Sequence, residues 1–296
     1  MRILLIANPR SGRNTGLAVA RQAVAQLSGA GWEVVVRPTT APGDATRLAQ
    51  EGAREGFAAV FACGGDGTLS QVVTGLLDTG LSAGLIPAGT GNDFARTIGL
   101  SRDPVAAAQQ VLRGAPAAVD LLEVNGGEAF SLNVMGVGFD AAVADRMNRR
   151  TRLTGGQVAY VTAVVQELAV HRPTEVELVV DGEGWSGRAL LVAIANAQSY
   201  GAGMKIAPHA SVTDGLLDVV LVEAMGKLEF LRTFPQVFRG GHETHRAVRM
   251  WQAREVTLTT PAPVPVLIDG DLQAHTPLRV RVAPGRALLW MPGQAA

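Results

Sequence analysis

Phosphate chemistry is what the residue types of this chain suggest first. An apolar run ends in Cys63-Gly64-Gly65-Asp66-Gly67-Thr68, and the periodic stretch LSQVVTGLL follows directly. Glycines let the backbone approach a ligand without Cβ clashes, and a helix start beyond them presents unpaired N–H groups and a positive dipole end. That is an anion site. Another apolar run ends in Pro87-Ala88-Gly89-Thr90-Gly91-Asn92-Asp93, and the first of the chain ends in Asn8-Pro9-Arg10-Ser11-Gly12. Ordinary turn and cap chemistry explains any one of these loops. Three at the same edge of one sheet can enclose the phosphates of a nucleotide. Asp66 and Asp93 would repel a phosphate unless a divalent cation lies between, so Mg²⁺ is the natural companion.

The elements that must position these loops are legible as well. Arg2 to Asn8, Trp32 to Arg37, Ala58 to Cys63 and Ser82 to Ile86 read as short strands, and Thr15 to Leu27 and Asp44 to Glu55 carry helical apolar spacing. This β-α-β-α rhythm predicts a doubly wound parallel sheet, whose ligands sit at the carboxyl ends of the strands. From about Val119 the rhythm changes to strand-rich runs around Asp181-Gly182 and Asp269-Gly270, the strongest short hairpin signal. The second half is therefore predicted to be mainly antiparallel, interrupted by helical stretches at Gln157 to Val170 and Lys227 to Phe238. The fold class expected is α/β, with a nucleotide-binding domain over 1–122 and a β-rich domain over 123–296.

Composition narrows the function further. The 296 residues are 47% apolar and 18% charged, enough for a core and far from a disordered chain. Twenty-six basic residues balance twenty-six acidic ones, so no global field recruits nucleic acid. Cys63 is the only cysteine, which removes intramolecular disulfides and thiolate zinc and fits a reducing, cytoplasmic setting. The longest strongly apolar stretch, Ala189 to Ala195, is far below the roughly 18 residues of a membrane span. Contact at a membrane surface needs only an exposed apolar or basic edge. A P-loop needs a Lys after its glycines, and the only lysines, Lys205 and Lys227, stand outside any such pattern. Protein-kinase motifs are missing too. A formal dinucleotide fingerprint at Gly136 to Ala141 lies in the later half without a βαβ unit around it.

NPRSG (Asn8 to Gly12), GGDGT (Gly64 to Thr68) and GTGNDFAR (Gly89 to Arg96) together resemble the diacylglycerol kinase catalytic-domain family, in particular the bacterial lipid kinases of that type. The likeness continues through VDLLEVNG, NVMGVGFDA, APHASVTDGLLDVV and IDGD, and so covers nearly the whole chain. GGDGT alone is shared with nicotinamide-dinucleotide kinases; followed by GTGNDFAR it is specific. The resemblance implies an N-terminal nucleotide-binding domain and a C-terminal sandwich-type domain, with the active site in the cleft between them and the extreme C-terminus able to return to the first domain. It implies ATP and Mg²⁺ as cofactors and a lipid hydroxyl as acceptor. Asn8, Pro9, Arg10, Ser11, Gly12, Thr40, Gly64, Gly65, Asp66, Gly67, Thr68, Leu69, Ser70, Thr90, Asn92 and Asp93 would line the ATP site. Asp66, Asp93 and Asp120 would form an acidic network at the transferred phosphate and its Mg²⁺, with Asp66 also a catalytic residue. Ser211, Asp214 and Leu216 would form a further Mg²⁺ site, Ser211 and Leu216 mainly through backbone carbonyls. Ser70-Gln71 departs from the Asn-Glu pair common at that point, which removes a carboxylate.

On the acceptor side a carboxylate must take the hydroxyl proton. Both Asp-Gly turns offer one; the resemblance selects Asp269-Gly270-Asp271, where Asp271 stands for the usual Glu. Whether Asp269 or Asp271 takes the proton stays open at this level. The run Arg146, Arg149, Arg150 and Arg152 reads as a solvated basic face, with attraction to anionic headgroups as its functional reading. His242 and His245 read as surface residues, and Cys63 as a small buried filler. The leading expectation is a lipid kinase acting at a membrane surface, with a homodimer left open. The alternatives are a nicotinamide-dinucleotide kinase and a non-catalytic lipid-binding protein that keeps the fold.

Overall fold

The computed structural model describes residues 1–149, 157–201 and 203–293. Contacts divide the chain into two units, Met1–Val119 with Gly285–Ala296, and Asp120–Pro284.

In the first unit, β1 (Arg2–Ala7) is followed by a single turn, α1 (Ser11–Asn14), then by α2 (Gly16–Gly29), β2 (Glu33–Pro38), α3 (Asp44–Arg54), β3 (Ala59–Gly64), α4 (Asp66–Leu76), β4 (Ser82–Pro87), α5 (Asp93–Thr97) and α6 (Pro104–Leu112). The strands are parallel in the order β4-β3-β1-β2. Right-handed crossovers through that order put α2 on one face and α3 and α4 on the other. The contacts agree, since α3 packs on α4 and α2 on α6. Ile3 to Ala7 are wholly buried, as a continuous apolar run covered on both faces must be. Register fixes the loop positions. Ala7 stands beside Cys63, Gly64 beside Pro87 and Ala7 beside Pro38, so every loop named above leaves the same edge. The last strand of the chain, β15 (Leu278–Met291), joins this sheet by pairing Leu289 with Ala83 of β4. Its Trp290 ring lies 5.5 Å from that of Trp32 and 5.7 Å from that of Phe61, and its Nε1 donates to the Val111 carbonyl at 2.8 Å.

The second unit takes over within β5 (Ala115–Val124) and continues through β6 (Ala129–Ser131), β7 (Val134–Gly138), α7 (Phe139–Arg149), α8 (Gln157–Val170), β8 (Thr174–Val180), β9 (Glu183–Ala195), β10 (Leu217–Glu223), α9 (Lys227–Thr233), β11 (Val248–Ala253), β12 (Glu255–Thr259), β13 (Pro265–Ile268) and β14 (Asp271–His275). Its pairings are antiparallel. At both Asp-Gly turns the Asp and the Gly have positive φ, 45° and 91° at Asp181-Gly182 and 49° and 97° at Asp269-Gly270, as a two-residue hairpin turn of the twisted kind requires. Strand alternation buries both faces. Met135, Val137, Val192, Ile194, Val219 and Leu221 join a core with Leu122, Val256, Ile268 and Val280, while Val134, Leu191, Ala193 and Val220 join Phe139, Val164, Leu168 and Phe230. No helix among the described residues is long and apolar enough to cross a membrane.

Several local expectations need correction. The helix from Lys227 ends at Thr233, and a 3₁₀ segment, Phe234–Arg239, follows because Pro235 cannot donate to the preceding turn. His242 is buried rather than exposed, with Nε2 3.0 Å from the Ile206 carbonyl oxygen. Arg146 does not belong to a solvated basic face: it pairs at 2.7 Å with Glu167 of α8, itself buried. Arg150 and Arg152 lie outside the described residues, as does the side chain of Arg149.

Asp140 is buried in the first turn of α7, where Oδ1 accepts from the Ala141 N–H at 2.8 Å and Oδ2 from the Tyr200 hydroxyl at 3.2 Å. A Cβ on Gly136 would stand 1.8 Å from that Oδ2, so the strand beneath must carry glycine there. Burial pushes the Asp140 carboxyl up to about 6. The folded state therefore binds the proton more tightly than the unfolded chain, whose aspartates titrate near ~3.9. The stabilisation is complete below that value and is lost as pH rises through about 6. Asp140→Asn should accordingly stabilise the protein by about 2 to 3 kcal/mol at pH 8, with the gain fading toward pH 4, as read from urea midpoints. Phe61→Ala, which empties the position between Trp32 and Trp290, should cost about 3 to 5 kcal/mol in the same measurement.

Candidate active site

The loops expected to hold phosphate lie in the first unit, and they touch one another. Asn8 Nδ2 donates to Thr68 Oγ1 at 3.3 Å, and its Oδ1 accepts from the Arg10 N–H at 3.0 Å, which curls Pro9 and Arg10 over the strand end. Ser11 is buried, and Gly12 has a φ of 57° with a Cβ position only 2.4 Å from the Ala88 carbonyl oxygen, so the first loop lies against the fourth strand. Gly65 and Gly89 meet backbone to backbone: a Cβ on Gly89 would stand 2.5 Å from the Gly65 Cα. Asn92, at a φ of 53°, closes its own loop by accepting from the Gly89 N–H and donating to the Gly89 carbonyl, both at 2.9 Å.

The carboxylates in these loops have definite partners. Asp66 Oδ2 accepts from the Asp93 N–H at 3.1 Å and Oδ1 from the Phe94 N–H at 2.9 Å, so Asp66 satisfies the first turn of α5. Asp93 is buried and pairs with Arg96 at 2.8 Å. Thr40 follows β2 and donates its hydroxyl and its N–H to Asp44 Oδ2, at 2.6 and 2.8 Å, holding the Asp44 carboxyl well below the usual range. Gly64, Thr68 and Leu69 are buried, which limits Leu69 to its backbone, whereas Gly67 and Ser70 are partly exposed and Thr90 is exposed. Cys63 is buried beside them, its thiol pushed up to about 12 by burial.

The second unit carries the remaining candidates on one polar scaffold. Asp120 Oδ2 accepts from the Gly215 N–H at 2.7 Å, and the Asp120 N–H donates to the Val212 carbonyl at 2.8 Å, which pins the loop carrying Ser211, Asp214 and Leu216. Burial first and the Asp214 charge second push the Asp218 carboxyl up to about 6. Among the described residues no three acidic, His or Cys side chains gather into a metal-holding group. An all-oxygen set of the Asp214 carboxylate, loop carbonyls and water nonetheless suits Mg²⁺.

Asp269 and Asp271 differ sharply. Asp269 Oδ1 accepts from Ser131 Oγ at 2.6 Å and the Asn133 N–H at 2.9 Å, and Oδ2 accepts from the Leu132 N–H at 2.9 Å. Asp271 is exposed. Sequence reasoning missed Asn196, whose Nδ2 bridges the carbonyls of Asp120 and Leu132 at 2.9 and 2.8 Å and so ties the Asp120 loop to the segment that Asp269 grips. The one available signal is a polar residue closing the apolar run LLVAIAN.

Comparison with known proteins shows the family and the fold. The diacylglycerol kinase catalytic domain matches residues 2–124, and the YegS C-terminal NAD kinase beta sandwich-like domain matches residues 133–290. A diacylglycerol kinase of Mycobacterium tuberculosis is 34% identical, covering 98% of this chain and 95% of its own, and one of Bacillus subtilis is 33% identical over 93% and 91%. A crystal structure of a diacylglycerol kinase from Bacillus anthracis str. Sterne shares the fold with a TM-score of 0.77 at 24% identity, over 97% of this chain and 96% of that one. Two matched domains and relatives at a third identity along almost the entire length place this chain in the diacylglycerol kinase family of lipid kinases.

Proposed function

We propose that the chain is an ATP-dependent kinase that moves the γ-phosphoryl group to a hydroxyl of a diacylglycerol-like lipid at a membrane surface. The observation that carries this reading is the register of β1, β3 and β4, which brings three glycine-rich loops out of one sheet edge in adjacent positions. Their backbone N–H groups would cradle the triphosphate, with Asp66 and Asp93 keeping the loops in shape. Ser211, Asp214 and Leu216, steadied by Asp120, would hold Mg²⁺, which when bound spreads the negative charge of the phosphate oxygens.

In the reaction the acceptor oxygen bonds to the γ-phosphorus as the bond to the bridging oxygen of the leaving ADP breaks, and the hydroxyl proton passes to a carboxylate. Asp271 suits that role. Both oxygens of Asp269 are filled by donors that favour its ionised form, whereas the Asp271 carboxylate stands exposed at the other end of the turn. The names of the relatives support the lipid acceptor.

Labelled ATP with Mg²⁺ and vesicles of total lipid extract should yield label in a lipid phosphomonoester, resolved by mass. Label in a nicotinamide dinucleotide, or in no acceptor, retires the reading. Asp271→Asn should lower kcat by about 10² to 10⁴ with the melting temperature held. Asp269→Asn should instead destabilise by about 2 kcal/mol or more, because three donors lose an ionised acceptor.

A further inference from the structure

Eight large apolar side chains stand exposed among the described residues, and four of them belong to two neighbouring helices of the second unit: Val165 and Val170 of α8, Leu228 and Leu231 of α9. Single exposed apolar residues need no explanation, but a cluster does. Lys227 Nζ donates to the Ala169 carbonyl, which ties the start of α9 to the end of α8. Val165 and Ala169 are four residues apart and both exposed, and Leu228 and Leu231 are three apart, so each helix turns an apolar stripe outward. Leu228, 72% exposed, and Val170, 62% exposed, are the barest of the eight. The inner face of α9 is already taken, since Phe230 is buried among the core residues beneath it.

The charges around the stripe indicate what covers it. Each of the two helices has one acidic residue, and both are engaged: Glu167 is buried and paired with Arg146, and Glu229 is paired with Arg246 at 3.0 Å. Lys227, Arg232 and Arg172 are exposed, the first two next in sequence to the leucines and the third two residues beyond Val170. An apolar stripe rimmed by long cations fits a phospholipid interface, with hydrocarbon under the stripe and phosphates level with the cations. A second copy of the chain fits poorly, because a stable dimer takes roughly 20 to 30 residues from each side.

We propose that the outer face of α8 and α9 inserts Val165, Val170, Leu228 and Leu231 into the surface of a bilayer, so that the protein docks by apolar burial and does not depend on anionic lipid. The purpose of such docking rests on the lipid-kinase reading; the exposed face stands on the geometry. The basic run that begins at Arg146 is a different element, and its first member is spent on Glu167. Cations at the rim of the stripe add orientation, holding the helices at the depth where their heads meet phosphate.

The test uses the full chain without nucleotide and sedimentation with vesicles of pure phosphatidylcholine, which carry no net charge. The chain should bind them, and its affinity should fall by less than about threefold between about 0.1 and about 1 M NaCl, because apolar burial is not screened. Leu228→Gln with Leu231→Gln should lower the affinity by about tenfold or more with the melting temperature held, and Leu228→Phe with Leu231→Phe should keep it. No uptake, loss of binding at high salt, or equal binding by the folded glutamine variant overturns the proposal, as does a dimer of this chain that the same substitutions dissolve. If the glutamine variant does not fold, the salt series on the unsubstituted chain decides alone. Docking by a chain that phosphorylates no lipid overturns the kinase reading and leaves this face standing. Phosphorylation of vesicle lipid by a chain whose glutamine variant docks equally well does the reverse.

Discussion

One carboxylate sets the form of the glycine-bearing loops at the edge of the first sheet. Asp66 begins α4, yet its oxygens take the first N–H groups of α5, some 27 residues further on, and so bind two strand-to-helix turns into one body. The close approach of Gly65 and Gly89 depends on that link, because the backbones meet only if neither loop carries a Cβ and something draws them together. An acidic side chain beside a phosphate site would ordinarily work against anion binding. Here its charge is answered by N–H dipoles at a helix start.

The second unit uses the same economy with different residues. Asp269 grips three consecutive donors at Ser131, Leu132 and Asn133, and Asn196 joins that segment to Asp120. Hydrogen-bonded networks of this kind order the segments that they join. The hairpin bearing Asp271 and the loop bearing Asp214 are therefore fixed to a common frame, which is what chemistry based on positioning demands.

Much of this was legible in the sequence, and the failures share a cause. Strand ends, glycine loops and both Asp-Gly hairpins are local features, written in neighbouring residues, and the structure has them where the residue pattern puts them. The partners of Arg146, His242 and Asn196 are Glu167, Ile206 and Asp120, which lie 21, 36 and 76 residues away along the chain. No window of neighbours contains them. A run of arginines accordingly read as solvated although its first member is spoken for, and a histidine near a turn read as exposed although tertiary packing covers it. The split between Asp269 and Asp271 is of the same kind, since only the fold shows which carboxylate is already occupied.

The closing strand has a consequence for how the molecule is made. Trp290 completes the aromatic cluster with Trp32 and Phe61, and Leu289 extends the parallel sheet beside Ala83. On the ribosome, where chains emerge from the N-terminus, the first sheet must wait with one apolar side unfinished through the synthesis of all of the second unit. The sheet begun by the first residues is completed only by residues that follow the whole second unit, so quality control meets an open core until those residues are made.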